Sequence, residues 1–107
     1  MRETVAKRAE NRKEAAMGEA RREVLIVNKR GLHARASAKL VAAVVAMEGT
    51  EVLVGKDGGN ASGGSILDLM MLGAAAGDTV ALTVHGPDAE ARLAELVAMI
   101  EDGFGED

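Results

Sequence analysis

The chain has 107 residues, of which 48% are hydrophobic and 1% are aromatic, and its net charge is −4. This length suits one domain with one core, and the single aromatic residue argues against the stacking platforms that bind single-stranded nucleic acid. The chain contains no cysteine and two histidines, which excludes disulfides and thiolate metal sites, and we expect no metal centre.

The apolar residues and the charges also limit where the chain works and what it binds. No apolar run has the length of a signal-peptide core or of a membrane-spanning helix, so we expect a cytoplasmic protein that needs no membrane. Residues 23–107 carry a net charge of −7, whereas residues 1–22 carry +3. An acidic body argues against nucleic-acid partners, because their binding depends on positive side chains that neutralise phosphates.

Residues 1–22 differ in composition from the rest of the chain and are rich in Ala, Glu, Arg and Lys. Their helix propensity is high, but a helix that is polar on all sides has no face to bury. We therefore predict a charged N-terminal extension over 1–22, helical or disordered, and a folded domain over 23–107. A solvated tail, a docking segment and translation from an upstream start site all fit this extension.

The domain begins with a predicted strand, a loop and a helix. Val24–Val27 is a β-branched run typical of a buried strand, and Asn28–Gly31 follows as a loop. From Ala34 to about Met47, apolar residues recur at helical spacing and predict a helix, which Gly49 ends.

Two strands and a short helix follow in the sequence. Alternation around Val52 and Val54 predicts a strand over 51–55, and a glycine-containing turn leads into a weak strand over 60–62. Ser65 and Asp68 have the spacing of an N-terminal helix cap, which predicts a helix over 65–72.

The last predicted strand and helix carry the clearest patterns. Alternating apolar residues predict a strand over 79–84, after which we place His85 in a surface loop without a catalytic role. Pro87-Asp88 begins the final helix, whose apolar stripe has helical spacing and consists of Leu93, Leu96, Val97 and Ile100.

The resulting order is strand, helix, strand, strand, helix, strand, helix. Helices with one apolar stripe must cover one face of the sheet, and an antiparallel sheet tolerates water on its other face. We predict an α+β fold, an open-faced two-layer sandwich in which a four-stranded antiparallel sheet is covered on one face by three helices.

His33 is the candidate reactive residue, because it stands between a glycine-containing loop and the start of a helix. The first turn of a helix has unpaired N–H groups, and together with the helix dipole they attract anions. Arg35 is placed to add a charge-assisted hydrogen bond to a phosphate on His33. A histidine that only caps the helix fits the same position.

Two motifs resemble those of the HPr family, the phosphocarrier proteins of the phosphoenolpyruvate-dependent phosphotransferase system. The run NKRGLHARAS at 28–37 resembles the family's active-site motif, and GSILDLMMLG at 64–73 resembles its short second helix with a leading serine. The resemblance covers about residues 23–105. Ala36 stands where the family usually has proline, and since alanine keeps the helix and adds an N–H donor, we expect no loss of function.

The resemblance implies an HPr-like fold and a carrier that is not an enzyme and needs no cofactor. It implies that His33 is phosphorylated on Nδ1 with the support of Arg35, that enzyme I donates the phosphoryl group and that an enzyme IIA protein accepts it. It also implies that an HPr kinase/phosphorylase acts on Ser65. Sugar uptake and a nitrogen-type regulatory relay both fit, and the residues Asn28-Lys29 and the acidic ending favour the nitrogen type.

The helix over 65–72 also predicts a docking surface. So short a helix cannot bury every side, so we expect Ile66, Leu67 and Met70 to form an exposed apolar patch beside His33, with Lys39 at its rim. A regulator of the same fold that acts by docking alone is the alternative function, and it would not need His33.

Overall fold

The computed structural model describes residues 18–106, which form four strands, three α-helices and a short 3-10 turn. In chain order these are β1 (Glu19–Leu25), α1 (Ala34–Val45), β2 (Glu51–Lys56), β3 (Gly59–Ser62), α2 (Ile66–Leu72), β4 (Thr79–His85), α3 (Ala89–Glu101) and the turn Gly103–Gly105.

The four strands form one antiparallel sheet in the order β1-β4-β2-β3. In β4, and in β2 as far as Val54, every second residue is buried, because successive side chains of a strand point to opposite faces. The residues that the strands bury under the helices are aliphatic: Ala20, Val24, Val52, Val54, Ala61, Val80, Leu82 and Val84. The predicted open-faced α+β sandwich is confirmed.

Each helix buries one stripe in the same core. Leu40 and Val44 are buried in α1, and Leu69 is the buried residue of α2. The stripe predicted for α3 is fully present, with Leu93, Leu96, Val97 and Ile100 buried. These side chains, together with the buried Phe104, close the core against the sheet.

Strand β1 differs from its prediction, because it begins at Glu19 and ends at Leu25 instead of covering Val24–Val27. The boundary that we placed at residue 22 therefore cuts through this strand, while residues 1–17 of the predicted extension lie outside the described residues. Strand β1 pairs only with β4, and its Arg21 and Glu23 lie on the water-exposed face. Charged residues on an edge strand discourage pairing with other chains. They also interrupt the apolar run from which a strand is predicted, which is why the first residues of β1 were not predicted as strand.

His85 is the last residue of β4, where it pairs with Glu19 and Glu51, and not a loop residue as predicted. Its side chain is exposed. The apolar alternation stops at Val84, but the ladder hydrogen bonds continue for one more residue, since pairing depends on the backbone and not on side-chain polarity.

The turn after α3 brings the end of the described chain back to the start of α1. Phe104 is buried in a left-handed conformation, with φ of +58°, and its carbonyl oxygen accepts a hydrogen bond of 2.7 Å from Lys39 Nζ. The turn thereby carries Glu106 to the region around His33.

Candidate functional site

His33 is the N-cap residue of α1, with an extended backbone conformation. Its Nδ1 accepts a hydrogen bond of 3.3 Å from the backbone N–H of Arg35, and its carbonyl oxygen accepts the first helical hydrogen bond, from Ser37. The ring therefore presents Nδ1 to the open end of the helix, where backbone donors lack helical partners.

The loop before His33 is fixed by its contact with the loop that follows α2. Gly31 has a φ of +61°, and a Cβ at this position would lie 2.4 Å from the carbonyl oxygen of Ala74, so only glycine fits. The next residue, Leu32, is buried and donates its N–H to the same oxygen at 3.0 Å. Ser37 donates its hydroxyl to the carbonyl of Leu32, which ties the loop to α1. This packing sets the position of His33.

The second ring nitrogen of His33 contacts a carboxylate from the other end of the chain. Nε2 lies 2.6 Å from Oε2 of Glu106, and the side chains of both residues are 16% exposed. The buried Asn28 donates from Nδ2 to Oε1 of Glu106 at 3.0 Å and to the carbonyl oxygen of Gly31 at 2.8 Å. Sequence reasoning missed this cluster, because 73 residues separate the two members of the His33–Glu106 pair.

These partners assign the tautomer of the neutral His33 ring. Since Nδ1 accepts from an N–H group, its lone pair carries no proton, and the ring proton resides on Nε2 and is donated to Glu106. The nitrogen without a proton is therefore the one at the helix opening, which is the nitrogen able to attack an electrophile.

Glu106 is held in its charged form by its surroundings. The hydrogen bonds that Asn28 and then His33 donate lower the pKa of the Glu106 carboxyl below its usual range, and the positive charge of Lys39 acts in the same direction. The site thus contains a fixed negative charge on the Nε2 side of the ring.

The remaining predicted residues of this region lie on α1. Arg35 is exposed at the first turn, and its backbone N–H, not its guanidinium, makes the contact with His33. Lys39 lies one turn further on and binds the carbonyl oxygen of Phe104. Lys39 therefore also fastens the turn that carries Glu106.

Ser65 and the apolar residues after it lie at the start of α2. Ser65 Oγ accepts a hydrogen bond of 3.1 Å from the N–H of Asp68, which is the cap predicted from their spacing. Ile66, Leu67 and Met70 are exposed, Leu67 by 66%, while Leu69 points into the core. The first turns of α2 therefore present aliphatic side chains to solvent.

Comparison with known proteins shows to which family the chain belongs. A family model described as "PTS HPr component phosphorylation site" matches residues 20–102. The chain belongs to the HPr family of phosphocarrier proteins. The resemblance of its two motifs to this family is confirmed, and HPr proteins are carriers rather than enzymes.

Relatives from two named groups of HPr proteins are equally similar to the chain. Phosphocarrier protein HPr of Cupriavidus necator is 41% identical over 85 residues, which cover 79% of this chain and 94% of the relative. Phosphocarrier protein NPr of Shewanella violacea is 41% identical over 86 residues, covering 79% and 92%. A crystal structure of HPr-C-His from Thermoanaerobacter tengcongensis superposes with a TM-score of 0.77 at 35% identity, covering 82% of this chain and 98% of that chain.

Two further observations apply to residues 18–106. None of their helices has the length and apolarity required to cross a membrane. Within the same range, no three side chains of His, Cys, Asp or Glu are grouped so that they could hold a metal ion.

Proposed function

We propose that this HPr-family carrier accepts a phosphoryl group on Nδ1 of His33 from phosphorylated enzyme I, itself charged by phosphoenolpyruvate, and passes it to an enzyme IIA protein. The observation that carries the proposal is the position of Nδ1, 3.3 Å from the Arg35 N–H at the opening of α1. We place this cycle in the cytoplasm, where phosphoenolpyruvate is available to the donor.

The surroundings of Nδ1 suit a phosphoryl group. Backbone N–H groups at a helix start and the positive end of the helix dipole stabilise negative charge. Arg35 is the second residue of α1, and its guanidinium is exposed. The guanidinium can therefore turn toward the phosphate oxygens and act as a charge-assisted donor. His33 and Arg35 thus divide the work between a nucleophile and an electrostatic support.

Partner docking is assigned to the exposed face of α2. Ile66, Leu67 and Met70 supply aliphatic surface, and methionine adapts its shape to more than one partner. Such a surface suits a carrier that must bind a donor and an acceptor in turn. Lys39, whose amino group binds Phe104, adds positive charge at the rim.

We assign the carrier to a nitrogen-type regulatory relay in preference to sugar uptake. The support is the Asn28-Lys29 pair before the glycine and the acidic ending of the chain. The equal identity to an HPr and an NPr relative leaves this choice to experiment. Phosphoryl transfer from the nitrogen-type enzyme I should exceed transfer from the sugar-type enzyme I of the same organism, and the reverse order would overturn the assignment.

Ser65 is proposed as a regulatory site for an HPr kinase/phosphorylase. A phosphate of about −2 charge at the N-cap of α2 would meet the favourable end of the helix and place negative charge next to the docking residues. Incubation with an HPr kinase from the same organism should modify the wild type and leave Ser65→Ala unmodified. A wild type that stays unmodified removes this part of the proposal.

The decisive experiment compares the two histidines. The full chain is incubated with labelled phosphoenolpyruvate and enzyme I, as wild type, His33→Asn and His85→Asn. Asparagine preserves an N-cap oxygen, so His33→Asn removes the nucleophile and keeps the cap of α1. We expect label on the wild type and on His85→Asn, because His85 lies at the far end of β4, and none on His33→Asn.

Two results would contradict this assignment. Equal labelling of His33→Asn and wild type would show that another residue carries the phosphoryl group. No labelling of the wild type, with enzyme IIA or enzyme I still bound, would favour the regulator that acts by docking alone.

A further inference from the structure

The two ring nitrogens of His33 have different environments, because Nε2 contacts Glu106, a residue near the C-terminal end of the chain. Nδ1 faces the backbone N–H of Arg35, whereas Nε2 lies 2.6 Å from Glu106. In an imidazole free in solution the ring proton exchanges between the two nitrogens, and only the nitrogen without it is nucleophilic. A fixed carboxylate on one side removes this ambiguity.

We propose that Glu106 is a positioning residue for phosphoryl transfer, whose carboxylate keeps the ring proton of His33 on Nε2 throughout the cycle so that Nδ1 alone gains and loses the phosphoryl group. This inference rests on the proposed function and adds to it the residue that selects the reacting nitrogen.

The carboxylate is itself held by contacts from three parts of the fold. Asn28 donates to Oε1, which leaves Oε2 for His33. Lys39 fastens the carbonyl of Phe104, two residues before Glu106, and the Phe104 side chain is buried in the core. A carboxylate fixed in this way orients the ring as well as accepting the hydrogen bond from its Nε2–H group.

The transfer step then balances without movement of a proton. A bond forms between Nδ1 and phosphorus while the bond between phosphorus and the donor atom of enzyme I breaks, and its electron pair returns to the donor. The ring, still protonated on Nε2, becomes positively charged, and the Glu106 carboxylate at 2.6 Å compensates this charge. In the second transfer a bond forms between phosphorus and the acceptor atom of the enzyme IIA protein while the Nδ1–phosphorus bond breaks. Its electron pair returns to Nδ1, and the ring is neutral again.

The test uses Glu106→Gln with Glu101→Gln as the matched control. Glu101 is the exposed last residue of α3 and belongs to the same acidic ending, but it makes no contact with His33 among those observed in residues 18–106. The glutamine at position 106 is neutral, and an oxygen that accepts from Nε2 would turn its NH₂ group against the NH₂ of Asn28. The interaction with the ring proton is therefore weakened with little change in size.

The first measurement is the tautomer of His33 in the unphosphorylated protein, from the ¹⁵N chemical shifts of the ring. We expect the Nε2–H form to dominate in the wild type and in Glu101→Gln, and the share of the Nδ1–H form to rise in Glu106→Gln, where only the Arg35 N–H still favours a proton-free Nδ1. This readout needs no phosphoryl donor, and a residue that only stabilised the fold would not move it.

The second measurement is the rate of phosphoryl transfer from enzyme I and onward to enzyme IIA, with thermal unfolding recorded for each variant. We expect Glu106→Gln to slow both transfers by about tenfold, the lower end of the loss found when a carboxylate that orients a metal-bound histidine is replaced, and Glu101→Gln to match the wild type.

Each outcome decides a separate claim. An unchanged tautomer ratio in Glu106→Gln overturns the inference, whether or not the rate falls, because a slower variant with the wild-type tautomer would assign Glu106 another role. Wild-type protein that takes no phosphoryl group overturns the proposed function, and the tautomer comparison then still decides whether Glu106 holds the ring proton.

Discussion

His33 is held through both of its ring nitrogens, by a backbone amide on one side and a carboxylate on the other. The amide contact belongs to the helix start, which a local sequence pattern specifies. The carboxylate contact depends on the overall fold, which brings Glu106 next to the start of α1. At the scale of single residues, the orientation of the His33 ring is thus determined by one local and one distant partner.

The first prediction concerns the charge of Glu106. Because the pKa of Glu106 is lowered in the folded protein, its contribution to the free energy of unfolding is complete above the ordinary carboxyl range near pH 4.5 and is lost as the pH falls through the lowered value. The groups that face it are Asn28, His33 and Lys39. Denaturation of wild type and Glu106→Gln should show a stability difference at pH 7 that shrinks below pH 4.5, and a difference that grows on acidification would contradict the assignment.

The second prediction concerns Arg35. Its guanidinium is exposed in the resting protein, so Arg35→Ala should leave stability within about 0.5 kcal/mol of the wild type. A hydrogen bond to a charged group contributes roughly 1.5–3 kcal/mol, so phosphorylation by enzyme I should slow by about tenfold to a hundredfold. Arg30→Ala, at an exposed position of the preceding loop, serves as the control. Equal rates for the two variants would exclude a role of Arg35 in supporting the phosphate.

At the scale of secondary-structure elements, the candidate site residues stand at the N-terminal ends of α1 and α2. His33 is the N-cap of α1 and Ser65 is the N-cap of α2, so each N-cap is a candidate phosphorylation site. Both ends offer unpaired N–H groups. The loop before α1 and the loop after α2 meet where Leu32 donates its N–H to the carbonyl oxygen of Ala74. His33 and Ser65 therefore both stabilise a helix start, in addition to the phosphorylation proposed for each.

The cap duty of Ser65 can be measured by itself. Ser65→Ala removes the oxygen that accepts from the Asp68 N–H and should destabilise the protein by about 1 kcal/mol. Ser65→Asn retains a capping oxygen and should stay within a few tenths of a kcal/mol of wild type. Chemical denaturation of the three proteins decides the matter, and equal losses for both variants would show that the cap contributes nothing.

The 3-10 turn after α3 has its own testable contribution. Phe104 is the one aromatic residue of the sequence and is buried, so Phe104→Ala should cost about 3 kcal/mol or more in the free energy of unfolding. Val45→Ala, at an exposed position of α1, should change it by about 0.5 kcal/mol or less. The expected loss is checked by urea denaturation, and a Phe104→Ala variant as stable as Val45→Ala would mean that the turn is not anchored in the core.

At the scale of the whole molecule, the candidate site and the exposed apolar residues of α2 lie in the helical layer and not on the other face of the sheet. The helical layer contains His33, Ser65 and the exposed part of α2, while the other face of the sheet consists mainly of polar or small side chains. Leu53 on that face pairs with Thr83, and Thr83 pairs with Arg21. This division predicts that partners approach from the helical side.

Two leucines on opposite faces test this orientation. Leu67 on α2 is 66% exposed and Leu53 on the open face of the sheet is 41% exposed. We expect Leu67→Gln to weaken binding of enzyme I by about tenfold, because a residue at the centre of an interface costs more than about 1 kcal/mol when its apolar contact is lost, and Leu53→Gln to leave it unchanged. Calorimetric titration measures both, and a weaker complex with Leu53→Gln alone would place the docking surface on the sheet.

The sequence allowed prediction of most of the fold because each element carries a local signal. The stripe from Leu93 to Ile100, the alternation in β4 and the Ser65–Asp68 cap all have the geometry expected from their spacing. Strand β1 was misplaced, since Glu19–Glu23 contains charges that suit an exposed edge and only one buried residue, Ala20.

The candidate site was predictable only in part. Gly31, His33 and Arg35 form a contiguous motif, and the helix start that it implies is present. The partners Asn28 and Glu106 were not identified, because their roles depend on how a left-handed turn at Phe104 directs the end of the chain. No periodicity connects residues so far apart in sequence, and only the packed core brings them together.

The uncovered side of the sheet has a practical use. Because the sequence contains no cysteine, a single thiol introduced at Thr83 would give one attachment point for a fluorophore or a sensor chip on the side remote from α1 and α2. A carrier immobilised there would present its helices to the solution, so that successive capture and release of donor and acceptor proteins could be followed on one molecule.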